Sequence, residues 1–277
     1  MKSLRLVNFK AFEDRTFDLK PLTLLSGANN TGKSCLLQSI LLLRQSYQQR
    51  LLPTRGLALN GNLVAIGTGR DALNECAQTD SIGFEITGDD RSRSIWQFQY
   101  ERDADVLSLI SPPVIESVHA TNIFNDEFHY LSSCVDDQRL LGSFAWSGNP
   151  TAKTPLDLSI LDRLTAGSLV LLEHPEHRLH SSLASQLGGA IVDAANRGVQ
   201  IILETHSDHL LNGIRVGVHG GRIKPEDVGF HHFRTVDGSA GRKIEVVSPQ
   251  IDRNGRIDLW VDGFFDQYEK HLEQLLC

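Results

Sequence analysis

Eight consecutive residues, Gly27-Ala28-Asn29-Asn30-Thr31-Gly32-Lys33-Ser34, constrain this chain more than any other stretch. They fit the pattern G-x-x-x-x-G-K-S/T. An apolar run, Leu22-Thr23-Leu24-Leu25, precedes them, and the residues that follow, Leu36, Leu37, Ile40, Leu41 and Leu43, have helical spacing up to about Gln49. A strand feeding a glycine-rich turn that opens a helix lets successive backbone N–H groups converge on a phosphate. The pattern predicts a nucleotide cradle of Asn29, Asn30, Thr31, Gly32, Lys33, Ser34 and Cys35 for ATP with Mg²⁺. Lys33 would reach the β- and γ-phosphates, and the Ser34 hydroxyl would ligate the metal. The bland alternative is a glycine turn capping a helix. The complete motif in this context favours the nucleotide.

The rest of the composition narrows the class. At 277 residues and 40% hydrophobic content, the chain can bury a sizeable core. Its longest apolar runs, Ile40 to Leu43 and Leu169 to Leu172, fall far short of the roughly 20 residues a membrane helix needs. The start, Met1-Lys2-Ser3-Leu4-Arg5-Leu6, lacks the form of a secretory signal, so a cytoplasmic chain without a membrane partner is expected. Cysteines at 35, 76, 134 and 277 are too dispersed for a zinc ribbon or a disulfide framework. The net charge of −7 argues against coating nucleic acid through bulk charge. Residues 1–60 nevertheless hold nine Lys/Arg against three acids. That bias suits phosphate binding, or simply a solvated basic face.

Along the chain, Leu4 to Phe12 and Phe17 to Leu25 predict a β-ribbon feeding a buried strand. Residues 57–110 carry three strand-like pieces, Leu63 to Ile66, Ile82 to Ile86 and Ile95 to Tyr100, which predict an antiparallel sheet. Residues 111–155 are rich in breakers and are expected to be loop or short elements. A short helix through Leu158, Leu161 and Leu164 then leads to an apolar strand, Leu169 to Leu172. A helix over 181–196 and a strand over Val199 to Leu203 follow. Strand, helix, strand of this kind implies a parallel sheet. The fold class is therefore α/β: a mixed or parallel sheet flanked by helices, with an antiparallel β subdomain. We expect one domain over 1–277, divided as 1–56, 57–110, 111–155 and 156–277.

A phosphate loop needs an acidic partner for its metal at the end of a neighbouring strand, and Leu169-Val170-Leu171-Leu172-Glu173 supplies one. The segment His174-Pro175-Glu176-His177-Arg178-Leu179-His180 follows. The strand Ile201-Ile202-Leu203 ends in Glu204-Thr205-His206-Ser207-Asp208-His209, which brings His206 to the same sheet edge, within reach of the γ-phosphate. Four segments in order now resemble the ABC-type ATPases related to the chromosome-maintenance (SMC), RecF and overcoming-lysogenisation-defect (OLD) families: Leu4 to Phe12, the phosphate loop, Leu169 to His180, and Glu204 to Ser207. The ending Trp260-Val261-Asp262-Gly263-Phe264-Phe265-Asp266 is similar to that of a bacterial subgroup of single-domain members.

The resemblance implies an ABC-type ATPase core of the AAA kind, with Ser34 and Glu173 on Mg²⁺ and His174, Glu176 and His206 as catalytic residues. It further implies an ATP-dependent homodimer or higher homo-oligomer, a separate effector protein such as a nuclease, nucleic acid as a candidate ligand, and a role in antiphage defence. No nuclease domain is expected within the chain itself. Two departures stand out. Where these families carry Asp-Glu, this chain has Glu173-His174, which implies slow hydrolysis with a neutral His174 or Glu176 near the water. Where they carry a signature loop, it has the degenerate Trp146 to Pro155; Ser147 to Lys153 would meet the partner subunit's nucleotide, or form a plain solvent loop. Two rival readings remain. One is a metal-dependent hydrolase built on His174, His177, His180, His206 and His209 with Glu173 and Glu176, although the histidines lack the H-E-x-x-H spacing. The other is a nucleotide-gated binding module with little or no hydrolysis.

Overall fold

The computed structural model describes residues 1–52, 54–116, 123–132, 159–238, 241–260 and 263–265. The chain divides into two compact units. One comprises Met1–Leu19 and Gly32–Phe128, and the other Lys20–Thr31 and His129–Cys277. The phosphate loop is thus a point where the chain passes from one unit to the other.

The second unit is built on a six-stranded sheet in the order β13-β12-β3-β11-β10-β9. Its strands are β3 (Leu22–Gly27), β9 (Phe128–Ser132), β10 (Leu169–Glu173), β11 (Gln200–Glu204), β12 (Val228–Gly238) and β13 (Gly241–Val247). β10, β11, β3 and β12 run parallel, and β13 returns antiparallel on β12. The register places Leu172, Leu203, Leu24 and Phe230 in one row. All four are buried, and they share a core with Leu187, Ile191 and Val192 of α4 (Ser181–Asn196) and with Leu210, Leu211 and Ile214 of α5 (Asp208–His219). Near-continuous apolar strands are what a parallel sheet buried on both faces requires. One short helix, α3 (Ser159–Arg163), precedes β10.

The first unit holds a five-stranded antiparallel sheet, order β2-β1-β5-β6-β8, formed by β1 (Ser3–Phe9), β2 (Phe12–Asp18), β5 (Ser81–Thr87), β6 (Arg93–Gln99) and β8 (Val114–Ile115). Alternation sends Leu4, Leu6, Ile82, Phe84, Ile86, Trp96 and Phe98 inward, and the Phe84 ring meets Phe9 and Phe98 edge-on. The 16-residue helix α1 (Lys33–Gln48) belongs to this unit. So do the four-residue α2 (Gly69–Ala72) and the paired β4 (Gly56–Ala58) and β7 (Val106–Ser108).

The expected α/β class, with mixed and antiparallel sheets, is the one observed. The expected ribbon β1-β2 forms, and β1 also pairs directly with β5. One local expectation differs: Leu63 to Ile66 does not form a strand. The N–H of Val64 donates to Gln45 Oε1 at 3.1 Å and its carbonyl accepts from Gly61, so no ladder can form beyond the single Asn60–Ala65 bridge. The 111–155 stretch, expected as loop or short elements, contributes the short strands β8 and β9 among the described residues.

Helices α4 and α5 approach closely at small residues. A Cβ placed on Gly213 would collide with the carbonyl oxygen of Ser185, and one on Gly188 with that of Leu210. These neighbours are backbone atoms and cannot swing aside. Gly213→Ala should therefore cost about 1–3 kcal/mol by overpacking, read as a lower melting temperature in calorimetry. An unchanged melting temperature would show that the two helices separate freely.

Candidate active site at the ends of the parallel strands

One register step beyond the apolar row, the sheet becomes polar. Glu173 of β10 lies beside Glu204 of β11, which lies beside Leu25 of β3, beside His231 of β12. These are the C-terminal ends of parallel strands, the edge at which open α/β sheets bind ligands. From there β3 runs into the phosphate loop.

Backbone conformation in the loop follows its sequence. Gly27, Asn30 and Gly32 have φ of 130°, 61° and 92°. Gly27 has no alternative, because any Cβ would strike the Phe233 carbonyl of the adjacent strand. Thr31 is buried and donates its hydroxyl to Ala28 O at 2.7 Å, which closes the turn. The α1 helix opens at Lys33 with Gly32 as its N-cap. It has no side-chain cap and no acid in its first turn, so its positive end favours an anion. Lys33 is buried, Ser34 is partly buried, and Ala28, Asn29 and Asn30 are exposed. The loop therefore fits a nucleotide's phosphates.

The carboxylates on the sheet edge are held by specific partners. Tyr130 of β9 donates its hydroxyl to Glu173 Oε2 at 2.6 Å. His174 turns the chain at φ 48°, and its N–H donates to Glu204 O at 2.8 Å. Pro175 then brings Glu176 back toward the ring. Nδ1 of His174 lies 3.9 Å from Glu176 Oε1, and Nε2 lies 3.7 Å from Glu204 Oε1. Both separations are too long for direct hydrogen bonds but close enough for strong attraction at a half-buried site. The His206 ring stacks on His174, centroids 4.9 Å apart, and the His206 N–H donates to Glu176 Oε1 at 3.1 Å. Of the expected residues, the structure therefore gathers Glu173, His174, Glu176 and His206 with Glu204. His177, His180 and His209 are exposed.

The charges respond to one another. Glu176 foremost, then Glu204 and Glu173, hold His174 above the ordinary imidazole range, against burial that works the other way. Burial pushes Glu176 upward, yet the His174 ring and the N–H and hydroxyl donors around it outweigh that and hold the carboxyl below its ordinary range. A ring biased toward imidazolium is a weaker proton acceptor, whereas an ionised Glu176 is available as a base. Glu176 Oε2 is buried without a hydrogen-bond partner, which fits a carboxylate oxygen meant for a substrate group or water. For Mg²⁺, the hard carboxylate of Glu173 is a suitable ligand type. Among the described residues, no group of three or more His, Cys, Asp or Glu is arranged to hold a metal, which gives the histidine-metal reading no support. Trp146 to Pro155, the expected signature region, lies outside the described residues.

Sequence reasoning missed Tyr130. The run Phe128-His129-Tyr130-Leu131 carries a strand signal, but it lay inside a segment dominated by breakers. The role of Glu204 was also missed, because its buried contact with His174 is tertiary.

A P-loop α/β protein with an acidic sheet edge is the class defined so far. Residues 1–136 match a family model described as an AAA ATPase domain, and residues 151–212 match the AAA domain model that names the AbiEii toxin and the Type IV TA system. These stretches are similar to AAA ATPase domains. Residues 223–275 match a model described as a protein of unknown function (DUF3696). A search of curated proteins returned no match. Among solved structures, the chain is similar to the SMC head domain from Thermotoga maritima, at 11% identity over 89% of this chain and 98% of that one, TM-score 0.48. It is also similar to the Smc head bound to the C-winged helix domain of ScpA, at 11% identity over 89% and 97%, TM-score 0.47. A Pyrococcus furiosus Smc head domain bound to the C-terminal domain of ScpA gives 9% identity over 100% and 99%, TM-score 0.46. Among the described residues, no helix is long and apolar enough to cross a membrane.

Because Glu176 is the main cause of the raised His174 value, Glu176→Gln should move the ring's titration to lower pH, as read by NMR of ¹⁵N-labelled histidine. The sign follows from linkage. A raised imidazole value contributes stability that is fully present below the unfolded histidine value and is lost as pH rises through the folded one. A midpoint that stays put or rises in the variant would show that another group governs the ring.

Proposed function

We propose that this chain binds ATP with Mg²⁺, hydrolyses it slowly, dimerises on the nucleotide, and uses that cycle to control a separate effector protein or a nucleic-acid transaction in antiphage defence. The observation that carries the reading is the sheet edge. There, Glu173, Glu204, His174, Glu176 and His206 gather at the ends of β10 and β11, beside the strand that feeds the phosphate loop.

In this reading, the backbone N–H groups of Asn29 to Cys35 hold the phosphates, and Lys33 serves the β- and γ-phosphates. The sequence motif assigns Ser34 and Glu173 to Mg²⁺, whose charge, when bound, offsets that of the phosphates. Glu176 takes the proton of the attacking water through its unsatisfied oxygen. The His174 imidazolium holds Glu176 ionised, and His206, stacked on that ring, faces the γ-phosphate. The family description naming a toxin–antitoxin system supports the defence context. Dimer closure through Ser147 to Lys153 completes the proposal.

One observation favours the rival reading of a nucleotide-gated module with little turnover. The residue after Glu173 is a ring held toward its charged form, where a base would be needed. Phosphate release per subunit separates the two: a steep rise with protein concentration marks a dimeric ATPase, and tight ATP binding without release marks the module.

Lys33→Ala should weaken binding of a fluorescent ATP analogue by roughly ten- to a hundred-fold, the loss expected for charge-assisted hydrogen bonds, while far-UV circular dichroism stays that of the parent. Undiminished affinity in the folded variant would overturn the nucleotide site.

A further inference from the structure

We propose that His232 is a positioning residue for the phosphate loop, holding Ser26 where the loop leaves its strand, and that Phe264 holds His232 in turn; the inference rests on the reading of that loop as the nucleotide site. On one face of the β3–β12 pair, the partners are Leu22 with Val228, Leu24 with Phe230, and then Ser26 with His232. The first two pairs are apolar. The third is polar, although Ser26 and His232 are almost wholly buried, at 3% and 2% exposure. Ser26 Oγ and His232 Nδ1 share a hydrogen bond of 3.1 Å.

Apolar packing has no direction, whereas a hydrogen bond fixes angle as well as distance. The bond falls where direction matters. One residue on, Gly27 turns the chain at φ 130° and lies so close to the Phe233 carbonyl that a Cβ would collide with it. His232 and Phe233 thus fix Ser26 and Gly27, the two residues from which the loop departs. A loop ordered before the nucleotide arrives loses less freedom on binding, and so binds more tightly.

The terminal torsion of a histidine is broad, so the ring needs support of its own. Phe264, fully buried, meets the His232 ring edge-on with centroids 5.4 Å apart, and meets Phe230 likewise at 6.0 Å. Gly263 turns at φ 82° beside Nε2, where an added Cβ would stand 3.8 Å away. Trp260 packs on Phe264 and lies beneath the Arg215 guanidinium of α5. Trp260, Gly263 and Phe264 have no place in the nucleotide chemistry itself; they acquire one through His232.

The test uses the full chain and a fluorescent, non-hydrolysable ATP analogue with Mg²⁺, titrated well below the melting temperature recorded without nucleotide. Ser26→Ala deletes one oxygen, His232→Leu deletes its partner, and His232→Asn keeps a hydrogen-bonding atom close to the place of Nδ1. Ser26→Ala and His232→Leu should each weaken analogue binding about three- to tenfold, the contribution of one hydrogen bond. The double variant should be no weaker than the single ones, and His232→Asn should keep most of the affinity. Phe264→Leu should weaken binding in the parent and add nothing when His232 is already Leu.

A merely structural role would lower the melting temperature and leave the affinity of the folded protein unchanged. Normal affinity in Ser26→Ala, additive losses in the double variant, or an Asn variant as weak as the Leu variant would each overturn the positioning role of His232. If His232→Leu fails to fold, Ser26→Ala and His232→Asn still decide. Normal binding by Phe264→Leu, or a loss that persists in the His232→Leu background, overturns the part given to Phe264. Lys33→Ala separates this inference from the reading beneath it. If Lys33→Ala weakens binding and Ser26→Ala does not, the nucleotide site stands and the positioning role falls; if Lys33→Ala binds normally, both fall.

Discussion

The hydrogen-bonded register of β10, β11, β3 and β12 is the constraint on which the site depends. It places four apolar residues in one buried row and, one step later, sets Glu173 and Glu204 side by side where the strands end. A slip of one residue in any of these pairings would turn a carboxylate into the core or an aliphatic chain out of it. The packing of α4 and α5 on the apolar row therefore also fixes where the acids stand. Burial of the core and placement of the chemistry are the same requirement seen at successive residues.

Much of this was legible in the sequence, for identifiable reasons. The phosphate loop could be read because glycine spacing, a preceding apolar strand and a following helical period agree. The strands β10 and β11 could be read because each is a short continuous apolar run ending in a glutamate. Helix α4 could be read from its length and period. What escaped depended on distant partners. Leu63 to Ile66 looks like a strand, but the Gln45 side chain, from a helix far back in sequence, takes the Val64 N–H and leaves no ladder to build. Tyr130 does not stand out in the sequence, because its strand is five residues long and its partner Glu173 lies more than forty positions away. The protonation bias of His174 could not be read from spacing either, since Glu204 comes from another strand.

The site's electrostatics are economical. Three carboxylates, Glu173, Glu176 and Glu204, crowd one edge, and like charges at such range disfavour one another. Glu176 and Glu204 flank the His174 ring and, with Glu173, hold it above the ordinary imidazole range, while the His206 ring stacks on it. Tyr130 contributes a neutral hydroxyl donor to Glu173, which together with Glu176 and Glu204 raises the imidazole.

The tie between His174 and Glu204 has a different character from these contacts, because it runs from a main-chain N–H to a main-chain carbonyl at 2.8 Å. Replacing either side chain leaves it standing. The tips of two strands remain fastened whatever functional groups they carry, so the acid–base content of the edge can be altered by substitution without unfastening the scaffold.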